Sequence, residues 1–193
     1  MNEAKSLIKR NKSFVSNKNF EKQRSKLTTT QHPEVVLVSC SDSRLDISYI
    51  FDLDLGQIFE IRTAGQVLTS SDIESIKYAL DHLHVKIIIV MGHTNCGAVT
   101  AAVNSLKDDK IRSEYPTITS TIIGSVEKVY NEYKTNNDKL IYNAIIQNAV
   151  DGANRLSYLF PDVTVIPFLY DVKTGKVCEI TNKGSTVNLI CNM

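Results

Sequence analysis

Two short segments carry the side chains best suited to chemistry: Cys40-Ser41-Asp42-Ser43-Arg44 and His93-Thr94-Asn95-Cys96-Gly97. A thiolate is both a nucleophile and a soft metal ligand, and a neutral imidazole is the commonest nitrogen ligand. His93 and Cys96 are separated by two residues, a spacing that lets one loop grip a metal twice. With Cys40 they offer three of the four ligands that zinc prefers, and an open fourth position is what makes a zinc site catalytic. Two thiolates cancel the charge of Zn²⁺, so bound water is acidified less than in an all-imidazole site. Such a site gains from a neighbouring acceptor that can orient the water and receive its proton. Asp42, two residues from Cys40, suits that role, and Arg44 can hold it ionised through a forked, charge-assisted pair.

These segments need a scaffold that brings them together. Each follows an apolar run, Val35-Val36-Leu37-Val38 and Ile87-Ile88-Ile89-Val90-Met91, of the kind found in strands buried on both faces of a parallel sheet. In open α/β sheets chemistry collects beyond the carboxyl ends of the strands, so Cys40, His93 and Cys96 are expected to converge there. The pattern predicts a helical arm from Asn2 to Lys26, broken before Pro33, and then a strand from Val35 to Ser39. A helix around Asp46 to Phe51, a turn ending at Gly56 and a strand from Gln57 to Arg62 follow. Ser70 or Ser71 with Glu74 reads as a capping box opening a helix through Leu83. Lys86 to Met91 is the third strand, and Gly97 to Leu106 a small-residue helix. Asp108-Asp109-Lys110 reads as a polar loop before helices over Thr117 to Tyr133 and Asp138 to Tyr158. Val163 to Ile166 is a fourth strand ended by Pro167, and Val177 to Ile180 a short last one after the turn Lys173-Thr174-Gly175-Lys176. The tail after Asn182 gives no signal. The expected fold is a single α/β domain over 31–193, a central mostly parallel sheet flanked by helices, preceded by a helical arm over 1–30.

Composition narrows the function. Lysine and arginine total 22 against 21 acidic residues, so no net field draws the chain to nucleic acid or membrane. The basic segment before Leu27 reads as a solvated helical face. No apolar h-region opens the chain and no stretch is long enough to span a bilayer, which predicts a soluble, cytoplasmic protein. In that reducing setting the motif cysteines point to metal or catalysis, while Cys178 and Cys191 are expected to be small buried apolar side chains.

The set Cys40-Ser41-Asp42-Ser43-Arg44, Arg62-Thr63-Ala64-Gly65 and His93-Thr94-Asn95-Cys96-Gly97-Ala98 resembles the β-class carbonic anhydrases, from about Gln31 to Val103, with a fainter echo in Tyr170 to Gly175. The resemblance implies one Zn²⁺ per chain on Cys40, His93 and Cys96, an Asp42–Arg44 dyad, and reversible hydration of CO2 to bicarbonate by zinc hydroxide. It implies a substrate pocket of Gln31, Phe59, Ala64, Tyr78 and Gly97, with Phe59 and Ala64 as apolar walls and Gln31 as a donor to substrate oxygen. It also implies a closed state in which Asp42 itself ligates zinc, and a homodimer, or dimer of dimers, whose N-terminal arms embrace the partner. One departure stands out. A subgroup of the family binds inhibitory bicarbonate with a tryptophan three residues before the first cysteine; that position is Leu37, and the chain has no tryptophan. His32, His82 and His84 are proton-shuttle candidates by chemistry alone.

Other readings use the same residues. A hydrolase of carbon disulfide or carbonyl sulfide would share the metal site, and a non-catalytic zinc protein would close the fourth position. A thiol redox protein lacks its CxxC pair, and a nucleotide-binding sheet lacks GxGxxG and a P-loop.

Overall fold

A computed structural model describes residues 2–183 and 186–191. Its strands are β1 (Val35–Cys40), β2 (Ile58–Thr63), β3 (Ile87–His93), β4 (Thr164–Tyr170), β5 (Val177–Lys183) and β6 (Thr186–Ile190). They form one sheet in the order β2-β1-β3-β4-β5-β6. The first four in that order run parallel, and β5 and β6 are antiparallel additions. The chain leaves β1 for β2 on one side and then returns to place β3 on the other. This reversal makes the gap between the carboxyl ends of β1 and β3 the switch point of the sheet, where no crossover covers the crevice. Cys40 is the last residue of β1 and His93 the last of β3.

The helices are α1 (Asn2–Ser16), α2 (Lys18–Lys26), α3 (Ile47–Ile50), α4 (Ser70–His82), α5 (Gly97–Asn104), α6 (Asp109–Glu114), α7 (Pro116–Tyr133) and α8 (Asn137–Leu159). Alternate residues of β1 serve two apolar clusters. Val36 and Val38 join Ile88 and Val90 of β3, Ile76 and Ala79 of α4, and Ala153 and Leu156 of α8. Leu37 joins Met91, Ile47, the inner faces of α5 and α7, and the earlier turns of α8. Burial on both sides explains why β1 reads as an unbroken apolar run. Cys40, Cys96 and Met91 belong to the second of these clusters, so the site sits on packed core.

Several elements depart from the sequence reading, each for a local reason. The arm is two helices, because the Asn17 side chain accepts from the amides of Asn19 and Phe20 and starts α2 afresh. The cap of α4 is Thr69, whose amide and hydroxyl both donate to Asp72, so the helix opens before the Ser/Glu74 pair. Asp108 accepts from the Lys110 amide and caps α6 where a loop is expected. β4 runs through Pro167 to Tyr170. Its ladder with β5 begins at Phe168, so the flank beside the proline carries no β5 partner and the missing N–H is tolerated as on an edge. The tail forms β6, and Cys178 and Cys191 are joined in a disulfide across β5 and the residue following β6. That corrects the expectation of two reduced apolar side chains.

The two arm helices are anchored unequally. Gln23 of α2 donates to Asp54 and accepts from the Leu55 amide at 3.0 Å. Leu27 lies where a side chain at Gly56 would have to go, and Gly56 has φ +84°, so both space and backbone call for glycine there. Helix α1 is tied to α2 by the Phe14–Phe20 ring pair and by Arg24 stacked on Phe14. Its Leu7, Ile8 and Val15 stay more than half exposed.

Candidate metal centre

Cys40 Sγ, a ring nitrogen of His93 and Cys96 Sγ all lie within 4.8 Å of one another, and all three residues are buried. Both cysteines are free thiols. His93 Nδ1 is 3.0 Å from the Thr94 carbonyl oxygen, which can only accept, so Nδ1 carries the proton and Nε2 the lone pair. Nε2 is buried and has no partner within the protein. An orphaned imidazole lone pair facing two thiols fits a soft, tetrahedral cation and suits zinc by donor type.

The sulfurs are set in fields of N–H groups. The Gly65 amide donates to Cys40 Sγ at 3.3 Å. The adjacent Cys96 thiol, with the Gly65 and Asp42 amides, holds Cys40 well below the usual thiol range against the opposing effect of burial. Proximity to Cys40, then burial and the Cys40 charge, push Cys96 up. Two buried thiols packed beside an imidazole lone pair suit a divalent cation that takes the place of their protons. Cys96 is the N-cap of α5, and the nearby amides of Val99 and Ala98 draw its thiol pKa down against the larger upward effects. The positive end of that helix therefore favours the thiolate.

Asp42 stands beside this group. Arg44 grips it with two N–H bonds, Nε to Oδ1 at 2.9 Å and Nη2 to Oδ2 at 2.7 Å, and the Arg44 amide adds a third at 3.0 Å. These bonds hold the carboxyl far below the usual carboxylate range. Arg44 Nη2 also donates to the Asn95 carbonyl at 3.1 Å, tying the dyad to the second ligand loop. Among the described residues Asp42 is outside the three-donor group.

Three supports escaped the sequence reading. Arg62, quoted there only as part of a motif, donates to the carbonyls of Cys40 and Asp42 and so holds the turn that presents both. Asn148 of α8 donates to the Gly65 carbonyl at 3.0 Å, fixing the residue whose amide meets Cys40. An asparagine inside the apolar stripe Ile145, Ile146, Ala149 and Val150 was the available signal. Thr94 bridges the third and fourth strands: its amide donates to the Tyr170 carbonyl at 2.9 Å, and its hydroxyl accepts from the Val172 amide at 3.0 Å.

The expected pocket residues are divided. Ala64 and Gly97 sit next to groups that touch the sulfurs, Ala64 before Gly65 and Gly97 after Cys96. Phe59 pairs with Val36, four residues before Cys40 on the adjacent strand, or about 13 Å along it. Gln31 and Tyr78 line a separate surface hollow of about 530 Å³, together with His32, His82 and His84. Within one chain, then, Gln31, Phe59 and Tyr78 are not brought to the three donors. Leu37, at the tryptophan position of the inhibitory subgroup, is fully buried core.

Residues 35–177 match the family model described as carbonic anhydrase. The chain is 42% identical over 92 residues to carbonic anhydrase 2 of Mycobacterium tuberculosis, covering 48% of this chain and 44% of that protein. It therefore spans less than half the length of this curated relative in the matched region. The β-carbonic anhydrase CcaA superposes with a TM-score of 0.82 at 22% identity, over 100% of this chain and 93% of that one. A structure of tetrameric β-carbonic anhydrases from Sordaria macrospora gives 0.77 at 21% identity, over 93% and 97%. The structural matches establish the shared fold, and with the family match across strands, ligand loops and helices they place this chain in the β-carbonic anhydrase family.

Proposed function

We propose that this chain catalyses the reversible hydration of CO2 to bicarbonate and a proton, with zinc held by Cys40, His93 and Cys96. The observation that carries this reading is a buried three-donor group with an arginine-gripped carboxylate fixed beside it and outside it. A closed structural site would enlist a fourth protein ligand instead. Bound there, zinc would supply a Lewis acid that makes water nucleophilic near neutral pH.

The residues divide the remaining work. His93 offers Nε2 because Thr94 occupies Nδ1. Asp42, kept anionic by Arg44, accepts a hydrogen bond from the attacking water and leaves the water's lone pair aimed at the CO2 carbon. Arg44 is a positioning residue, held at its far end by Asn95. Asp42 joins the metal ligands only in a closed state. Ala64 forms an apolar wall, and Gly97 at the start of α5 leaves the substrate side unobstructed.

Gln31, Phe59 and Tyr78 complete the pocket from a second copy of the chain. A homodimer, or dimer of dimers, suits their separation from the donors within one chain. The 1–30 arm embraces the partner and the 31–193 domain carries the zinc. The apolar residues Leu7, Ile8 and Val15, exposed on an α1 that touches little of its own body, support that arrangement. A cytoplasmic setting suits the free Cys40 and Cys96 thiols, and no helix among the described residues is long and apolar enough to cross a membrane.

Stopped-flow CO2 hydration with a pH indicator tests the proposal. Zinc-replete protein should turn over rapidly, faster as pH rises from about 7 to about 9, through loss of a proton from the attacking water. Zinc-bound protein with no turnover anywhere in that range would overturn it.

A further inference from the structure

We propose that the Cys178–Cys191 disulfide is a thiol-exchange site, opened from the Cys191 side by a dithiol, whose opening loosens the backbone next to the metal-binding loop. The two half-cystines differ in access. Cys178 lies in β5 and is 7% exposed, whereas Cys191 follows β6 and is exposed. A thiolate must approach the sulfur it attacks in line with the S–S bond, so the accessible sulfur is the one attacked. The attacking thiolate of the dithiol forms a mixed disulfide with Cys191, and the S–S bond breaks with its electron pair going to Cys178, which takes a proton from water. The second thiol of the reductant then closes on the first. That step releases Cys191 as a thiol and leaves the reductant as a cyclic disulfide. Two electrons and two protons end on the protein.

The consequence follows from strand register. Cys178 lies opposite Leu169 of β4, and Leu169 lies opposite Gly92 of β3, the residue before His93. In the next row Val177, Tyr170 and His93 are aligned. Two strand spacings, about 10 Å, separate the disulfide row from the metal-ligand strand. The end of β4 clasps the ligand loop through Tyr170 to the Thr94 amide and Val172 to the Thr94 hydroxyl. β5 is registered on β4 at only three residues, Phe168, Leu169 and Tyr170, so that edge has a short ladder. An antiparallel pair resting on so few rungs is marginal by itself; the disulfide ties β5 to the residue after β6, and its Cys178 end is the middle rung of that short β4–β5 ladder. The exchange chemistry is independent of the proposed activity; only its relevance to catalysis rests on the metal-site reading.

The test uses the full-length, zinc-loaded protein. Brief dithiothreitol treatment is quenched with iodoacetamide and the products are mapped by mass spectrometry. The expected trapped species carries the reductant on Cys191 and alkylation on Cys178. Hydrogen exchange at the Thr94 and Val172 amides is then compared between the oxidised protein and Cys191→Ser without reductant, which separates loss of the bond from any stripping of zinc. Exchange there should quicken several-fold in the variant. If Cys191→Ser does not fold, the fully reduced wild-type, with zinc content verified, takes its place. Reductant found on Cys178, a disulfide that resists dithiothreitol under native conditions, or unchanged exchange once the bond is open would each overturn the proposal. Altered exchange in a protein inactive towards CO2 would uphold it while sinking the activity reading.

Discussion

The four cysteines make two pairs with opposite fates, and the surrounding backbone decides which is which. Cys40 and Cys96 end a parallel strand and begin a helix, so the Gly65 amide meets one sulfur and the first-turn amides of α5 lie near the other. Those donors stabilise thiolate, and the imidazole that completes the group stabilises a metal. Cys178 and Cys191 stand across an antiparallel ladder, one step beyond the Glu179–Ile190 pair. Their Cα atoms are 4.2 Å apart, and the geometry closes a disulfide. Amide donors mark a metal pair, and cross-strand opposition marks a covalent one.

The sharpest way to break the contrast is to remove a metal donor. His93→Ala or Cys40→Ser should lose zinc and CO2 hydration together, with activity falling by more than the roughly 100-fold that loss of an outer partner can cost. Metal analysis alongside stopped-flow rates checks both, and an active variant without metal would dismantle the metal reading of this pair. Asp42→Asn should retain zinc and lose about 100-fold or more in turnover, as expected for a proton acceptor at the reacting water. Full activity in that variant would show that the dyad beside the thiolates is structural.

Gly65→Ala probes the amide that defines the Cys40 environment. An added Cβ would sit 2.7 Å from Ile122 Cδ1 and 2.9 Å from Ala98 Cβ, at φ +67°. Crowding and left-handed strain together should destabilise the fold by about 2–4 kcal/mol. Urea denaturation measures this, and a loss under 1 kcal/mol would mean that the loop yields easily.

The smallest effect concerns the turn leading from β4 towards Cys178. The Asp171 carboxylate accepts from the Thr174 and Lys173 amides, and these bonds lower its pKa. A depressed carboxyl stabilises the fold above its unfolded pKa of about 3.9, and the contribution fades as pH falls through the lower folded value. Asp171→Asn should therefore be less stable than wild-type near pH 7, with the gap narrowing in acid. A gap that is constant with pH would assign the effect to shape rather than charge.

What was legible in the sequence follows the same division. The ligand set and strands β1 and β3 could be read because long apolar runs buried on both faces leave a signal that local chemistry does not blur. The switch point then explained why motifs distant in sequence meet. β6 was missed although Thr186-Val187-Asn188-Leu189 alternates, because the run is only five residues long and its partner across the ladder is what stabilises it. The disulfide was hidden for the same reason, since pairing depends on register and not on spacing along the chain. Arg62 and Asn148 act on backbone carbonyls, a role that residue type alone does not announce. Gln31, Phe59 and Tyr78 matched a family pattern, but pattern matching says nothing about which copy of a chain presents a side chain.

The origin of the donors on β1 and β3 has a kinetic consequence. These strands are neighbours in space yet distant in sequence, with β2 and α4 between them. Their pairing is a non-local event that must precede any three-point grip on an ion. Zinc therefore has little to hold until the rate-limiting stage of folding is past. It acts as a late latch, slowing the unfolding limb of a chevron while leaving the refolding limb nearly unmoved.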